Sequence, residues 1–126
     1  MRPRLFQKRF VPLIQSGKKN QTIRKYPKCE LPKRGDKESL RYWIGTPRRS
    51  KQQEFAVRTI KDVTTVAIGE QGASFFIHRG VFEIIDLDAF AKADGFKDWD
   101  EMVQWFKAVH ELPFKGILIE YEPPEQ

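Results

Sequence analysis

Gly17-Lys18-Lys19-Asn20-Gln21-Thr22-Ile23-Arg24 is the stretch whose reading decides the fold. Just before it, Phe10, Leu13 and Ile14 recur at helical spacing, and Gly17 is the residue that most readily takes the left-handed conformation of a helix stop. Pro12 sits early in this helix, where a missing N–H costs least, so the helix begins near Val11. After Asn20 the period changes. Gln21 to Tyr26 reads as a strand, and because strand side chains alternate, Thr22 and Arg24 share one face while Ile23 takes the other. Lys19 stands at the helix-to-strand turn, within reach of Thr22. Eight residues thus turn a short helix into a strand and bring a lysine, a threonine and an arginine to one surface.

Outward from this stretch the chain is rich in strands. Arg4, Leu5 and Phe6 suit a short first strand. Pro27 to Gly35 has loop chemistry, and its Lys33-Arg34-Gly35-Asp36 end forms a turn into the next strand. That strand, Ser39 to Ile44, alternates Leu40, Tyr42 and Ile44 with Arg41 and Trp43 on a more polar face. Gly45 to Gln53 is a basic hairpin loop carrying Arg48, Arg49 and Lys51. Phe55, Val57, Ile60, Val63 and Val66 mark a long strand whose alternation slips, as at a β-bulge, and Ala67 to Ser74 is a Gly-interrupted turn. Phe75–His78 and Val81–Ile85 flank Arg79-Gly80 and make either a tight hairpin or one bent strand.

Two helices follow. Leu87, Phe90 and Ala91 fit a short one that stops at Asp94-Gly95. Asp98 then caps a second, with Glu101 three residues on and an apolar stripe of Met102, Val103, Phe106 and Val109 that ends before Pro113. Phe114 to Tyr121 contains Ile117-Leu118-Ile119, the run of a central strand buried on both faces, and Glu122 onward is a polar tail. The expected class is α+β: five or six mostly antiparallel strands in a small, partly open β-barrel, with peripheral helices and a helical pair inserted before the last strand.

Composition sets the outer bounds. The chain of 126 residues is the size of one domain, and 40% hydrophobic content argues against disorder. One cysteine, Cys29, excludes an internal disulfide and fits a reducing, cytoplasmic setting. His78 and His110 have no partner at zinc-ligand spacing and read as structural, so neither a metal nor another cofactor is expected. No apolar run approaches the length of a spanning helix, which argues against a membrane partner. Charge is divided unevenly: residues 1–61 hold eighteen Lys and Arg against four Asp and Glu, a net of +14, and residues 62–126 a net of −8. A field of that kind draws phosphates toward the first half of the chain.

The opening stretch resembles the GxKxxTxR signature of the ASCH domain family. The Lys33-Arg34-Gly35-Asp36 turn, Asp94-Gly95-Phe96, the Asp98-capped helix with Trp105-Phe106, and Phe114-Lys115-Gly116-Ile117-Leu118-Ile119 follow in the order that family shows, so the resemblance covers Phe6 to Tyr121. It implies a PUA-like β-barrel related to RNA-binding modules. Family members include inferred RNA binders, ribonucleases, and a bacterial branch of amidohydrolases that cleave N4-acetylcytidine with a lysine, a threonine and a downstream glutamate. Position by position these fall on Lys19, Thr22 and Asp94. The last is a departure, since aspartate is one methylene shorter.

The residues themselves leave the chemistry open. A lysine whose pKa is depressed by burial or by nearby cations could activate Thr22 for attack on an amide, with Asp94 relaying the proton and Arg24 or backbone N–H groups holding an oxyanion. Alternatively Lys18, Lys19 and Arg24 clamp phosphates while Thr22 donates one hydrogen bond. The plain alternative is a solvated helix end beside a strand-forming threonine. Arg41, Tyr42 and Trp43 suit the stacking of a base or a place in the core, and Arg48, Arg49 and Lys51 suit a phosphate backbone or a solvated loop. Trp99, Trp105 and Phe106 are assigned to packing of the last helix. The expected partner is RNA or a nucleoside-like ligand, bound by a monomer or weak dimer, and a protein-interaction role for the acidic second half is the third class.

Overall fold

Strand β4 (Gln52–Ile68) is the branch point of the molecule. The computed structural model describes residues 1–124 and places β1 (Arg2–Leu5), a 3₁₀ turn (Lys8–Phe10), α1 (Val11–Gln15), β2 (Gln21–Arg24) and β3 (Lys37–Trp43) before it. After it come β5 (Ala73–Ile77), β6 (Gly80–Glu83), α2 (Leu87–Ala93), α3 (Trp99–Val109) and β7 (Phe114–Tyr121). The first half of β4, Gln52–Thr59, pairs with β3, while Ile60–Ile68 pairs with β7 and its last four residues pair with β5 on the other side. A register shift between Ile60 and Asp62 marks the change of partner, where the sequence alternation slips. The order runs β1-β3-β4-β5-β6, with β7 also on β4 and β2 on β7.

The result is a seven-stranded mixed sheet with three short α-helices. All the pairings are antiparallel except β1 with β3, which run parallel. The ladder ends at β1, β2 and β6 and does not close among the described residues. No described helix is long and apolar enough to cross a membrane.

Local chemistry explains most of the elements. Gly17 takes φ +82° after α1, as a helix stop requires, and Lys19 N–H closes the turn on Leu13 O at 3.0 Å. The Asp98 carboxylate accepts from Glu101 N at 2.9 Å and caps α3, whose Met102, Val103 and Phe106 are buried against the sheet. Strand β7 is buried at every position from Gly116 to Ile119, as a central strand covered on both faces must be. Leu40, Ile60, Ile68, Met102, Phe106 and Leu118 form the fully buried centre.

Several expectations are corrected. The first strand is Arg2–Leu5 rather than Arg4–Phe6, and Phe6 turns into the core. The strand after the turn of the opening stretch stops at Arg24; Tyr26 is exposed and its hydroxyl meets Thr65 Oγ1 at 2.6 Å. The turn expected over Ala67–Ser74 shrinks to Gly69–Gly72, because β4 continues through Ile68 in its ladder with β7. The choice left open at Arg79-Gly80 resolves to a tight hairpin, with His78 and Arg79 at φ +48° and +68°, the backbone twist two-residue hairpins favour. Helix α3 ends at Val109, before Pro113 is reached, and Val109 is half exposed rather than part of the packed stripe.

Candidate active site

Lys19 is a buried cation because three elements close on it. Its backbone is fixed to α1, and the next residue, Asn20, donates its N–H to Ala93 O at 3.1 Å, which joins the turn to the end of α2. Asp94 is the first residue beyond α2, so the helix end carries its carboxylate to the lysine. Lys19 Nζ lies 2.5 Å from Asp94 O, 3.6 Å from Asp94 Oδ1 and 4.7 Å from the centre of the Phe10 ring. Gln21 Nε2 approaches the same Oδ1 at 3.5 Å. Both charged residues are only 4% exposed.

Such a pair has little water to support it. Burial pushes the Lys19 ammonium down to about 8 against the pull of Asp94, and the nearby Arg24 adds to the lowering. Burial likewise pushes the Asp94 carboxyl up against the pull of Lys19. For both groups the loss of hydration outweighs the attraction between them, which is the usual balance for a buried ion pair.

Gly95 makes the approach possible. It has φ +94°, and a Cβ there would stand 2.9 Å from Lys19 Cδ and 3.0 Å from Phe10 Cδ1. Gly95→Ala is expected to cost about 1–3 kcal/mol in strain, read by denaturant unfolding, and to displace Lys19 from Asp94.

Strand β2 supplies the other half. Thr22 and Arg24 share a face, and Arg24 Nε donates to Thr22 Oγ1 at 3.0 Å while its Nη2 donates to Leu5 O at 2.7 Å. The guanidinium lies 4.7 Å over the Phe6 ring and has no carboxylate in ion-pair contact among the described residues. Burial, with Arg4 next, lowers its pKa to about 10, so it stays charged at neutral pH. Because Thr22 Oγ1 accepts from Arg24, the threonine's own proton is free to point elsewhere.

Lys19, Thr22, Arg24 and Asp94 line one cleft of about 310 Å³. Phe10, Phe96, Trp105, Val109 and His110 form its aromatic and apolar wall. Trp105 packs edge-on to Phe10 and Phe106, with ring centres 6.2 and 5.1 Å away. His110 Nδ1 is buried without a hydrogen-bond partner among the described residues, and burial, with Lys25 and Arg24, lowers the imidazole's pKa. An aromatic and apolar wall in the same cleft as a lysine, a hydroxyl and an arginine suits an aromatic ligand with polar edges.

The other residues singled out from the sequence lie elsewhere. Trp43 is half-buried in a neighbouring groove that shares Leu5, Phe6 and Gln7 with the cleft. Lys18 is exposed and lines neither space. Arg41 is held within the sheet by Ser39 Oγ at 2.9 Å and Gln52 Oε1 at 3.5 Å, which opposes a role in the cleft. Arg48, Arg49 and Lys51 are exposed on the loop between β3 and β4.

Sequence reasoning missed Trp105 and His110 as cleft residues, and gave Phe10 and Phe96 no role beyond packing or spacing. One signal was present: Trp105 and Val109 are four residues apart on α3, so they share a face at the edge of the buried stripe. Comparison of the chain with protein-family models, curated proteins and solved structures finds no match.

Proposed function

We propose that this chain is an ASCH-type, PUA-like domain that binds RNA or a nucleotide-like ligand and takes one nucleoside unit into the Lys19–Thr22–Arg24 cleft. On this reading the open, branched sheet is the PUA-like barrel, and the protein works in the cytoplasm. The observation that carries the proposal is convergence: Lys19 and Thr22, neighbours on the opening stretch, and Asp94, 75 residues beyond Lys19, line one aromatic-walled space within the size range of small-molecule sites. Trp105 would stack on the base, while Arg24 and Thr22 would meet its polar edge or the ribose.

Titration calorimetry with the four ribonucleosides and a short single-stranded RNA tests this. Saturable binding that weakens with salt for the RNA, and at least about tenfold on Trp105→Ala, is the expected result. Heat changes indistinguishable from dilution for every ligand would end the proposal.

One observation favours a second, catalytic reading. A lysine pushed down to about 8, lining the same cleft as a threonine whose oxygen is already hydrogen-bonded by an arginine, is a candidate general base for that hydroxyl. In an amidohydrolase of acylated nucleosides, Thr22 Oγ would attack the amide carbon as its proton passes to Lys19. Arg24 would hold the oxyanion, and the amine would leave with a proton returned through Lys19 or Asp94. Water would then release the acyl group from Thr22. Release of cytidine from N4-acetylcytidine should rise as pH passes through about 8, where Lys19 loses its proton, and should vanish in Thr22→Ala. A flat pH–rate profile, or turnover that survives Thr22→Ala, counts against this reading.

A further inference from the structure

We infer that the cleft is the first of two adjoining base subsites, and that the groove under Trp43 takes the neighbouring nucleotide of a single-stranded RNA; this rests on the nucleoside reading of the cleft. The groove measures about 500 Å³ and is lined by Trp43, Lys8, Gly45 and Pro47. Leu5, Phe6 and Gln7 line both spaces and form the ridge between them. A ligand that fills the cleft therefore has only a three-residue ridge to cross before it meets an indole.

Charge supports an RNA strand as the occupant. Lys8 lines the groove, with its ammonium 2.6 Å from Ile44 O. The loop that supplies Gly45 and Pro47 continues directly into Arg48, Arg49 and Lys51, three exposed cations that make no ion pair among the described residues. That loop is a built element. Ile44 N donates to Lys51 O at 3.0 Å across its base, Arg49 N to Thr46 O at 3.1 Å, and Ser50 Oγ links Gly45 N to Thr46 O with both contacts at 2.9 Å. Arg48 sits at φ +65°, a conformation that non-glycine residues adopt at a cost. A fixed basic loop beside an aromatic platform is the arrangement that binds single strands, with the base stacked and the phosphates neutralised.

The test compares ribonucleosides, ribodinucleotides and a glutamate-rich peptide by titration calorimetry, with wild type, Trp43→Ala, Trp43→Phe and Arg48→Glu/Arg49→Glu. Dinucleotides should bind about tenfold more tightly than nucleosides. Trp43→Ala should erase that gain while leaving nucleoside binding intact, and Trp43→Phe should keep most of it. The loop variant should flatten the salt dependence of RNA binding by on the order of one unit of slope. Equal affinity for nucleosides and dinucleotides overturns the second subsite and leaves the cleft's nucleoside reading standing. Peptide binding that matches the dinucleotides in strength overturns it as well, and loss of nucleoside binding itself removes both.

Discussion

Asp94→Ala should destabilise the domain by about 3 kcal/mol and lower its midpoint of thermal unfolding on the order of 10 °C. The substitution leaves the Lys19 ammonium buried with only the Asp94 carbonyl and the Phe10 ring for company. Lys19 is already pushed down to about 8 with its partner present, and without the carboxylate its pKa should fall further. Stability should then respond to pH in a defined direction. A lysine whose folded pKa lies below its unfolded value makes the fold more stable as pH rises through the interval between them, from about 8 to the ordinary lysine range. In Asp94→Ala this interval begins lower. The double variant Lys19→Met/Asp94→Leu, which removes both charges and keeps the volume, should recover most of the loss, because a well-packed apolar pair often equals a buried ion pair. Equal stability of Asp94→Ala and wild type by denaturant unfolding contradicts this account of the pair.

The second large effect centres on Glu38, outside the cleft lining. Glu38, 1% exposed, accepts from Arg4 Nε at 3.1 Å and Nη2 at 2.5 Å, and from the Tyr121 hydroxyl at 2.7 Å. This fork ties β1 and the end of β7 to β3. Burial and the Glu38 carboxylate push the Tyr121 hydroxyl well above the ordinary phenol range, so it remains a donor at every physiological pH. Arg4→Met removes the cation in ion-pair contact with a buried carboxylate and should cost about 3–5 kcal/mol. It also removes a like charge near Arg24, so the remaining stability should be less sensitive to that arginine. Adding Glu38→Gln restores part of the loss, since a neutral amide still accepts from Tyr121. A single variant within about 0.5 kcal/mol of wild type would show that the fork is not what joins these strands.

Features set by a few neighbouring residues were legible in the sequence. The Gly17 stop, the shared face of Thr22 and Arg24, the Asp98 cap and the buried run of β7 each follow from a local period or a backbone preference. The resemblance maps one family residue onto Asp94 and another onto Lys19, and the structure sets their charged groups 3.6 Å apart. What escaped reading depends on contacts distant in sequence. The parallel pairing of β1 with β3 and the two sets of partners along β4 are chosen by the whole sheet. Trp105 was assigned to packing, because an aromatic on a helix stripe looks the same whether it faces the core or a cleft wall. No short-range pattern marks an indole that packs on Phe10 and also borders open space.

Amide and indole NMR of the isotopically labelled protein, titrated with cytidine and then with a short single-stranded RNA, tests the central claim most directly. The cleft reading predicts that cytidine shifts the Trp105 indole N–H and the amides of Lys19, Thr22 and Phe96 in one saturable process. Shifts confined to the Arg48–Lys51 loop, or no shift with either ligand, would contradict it.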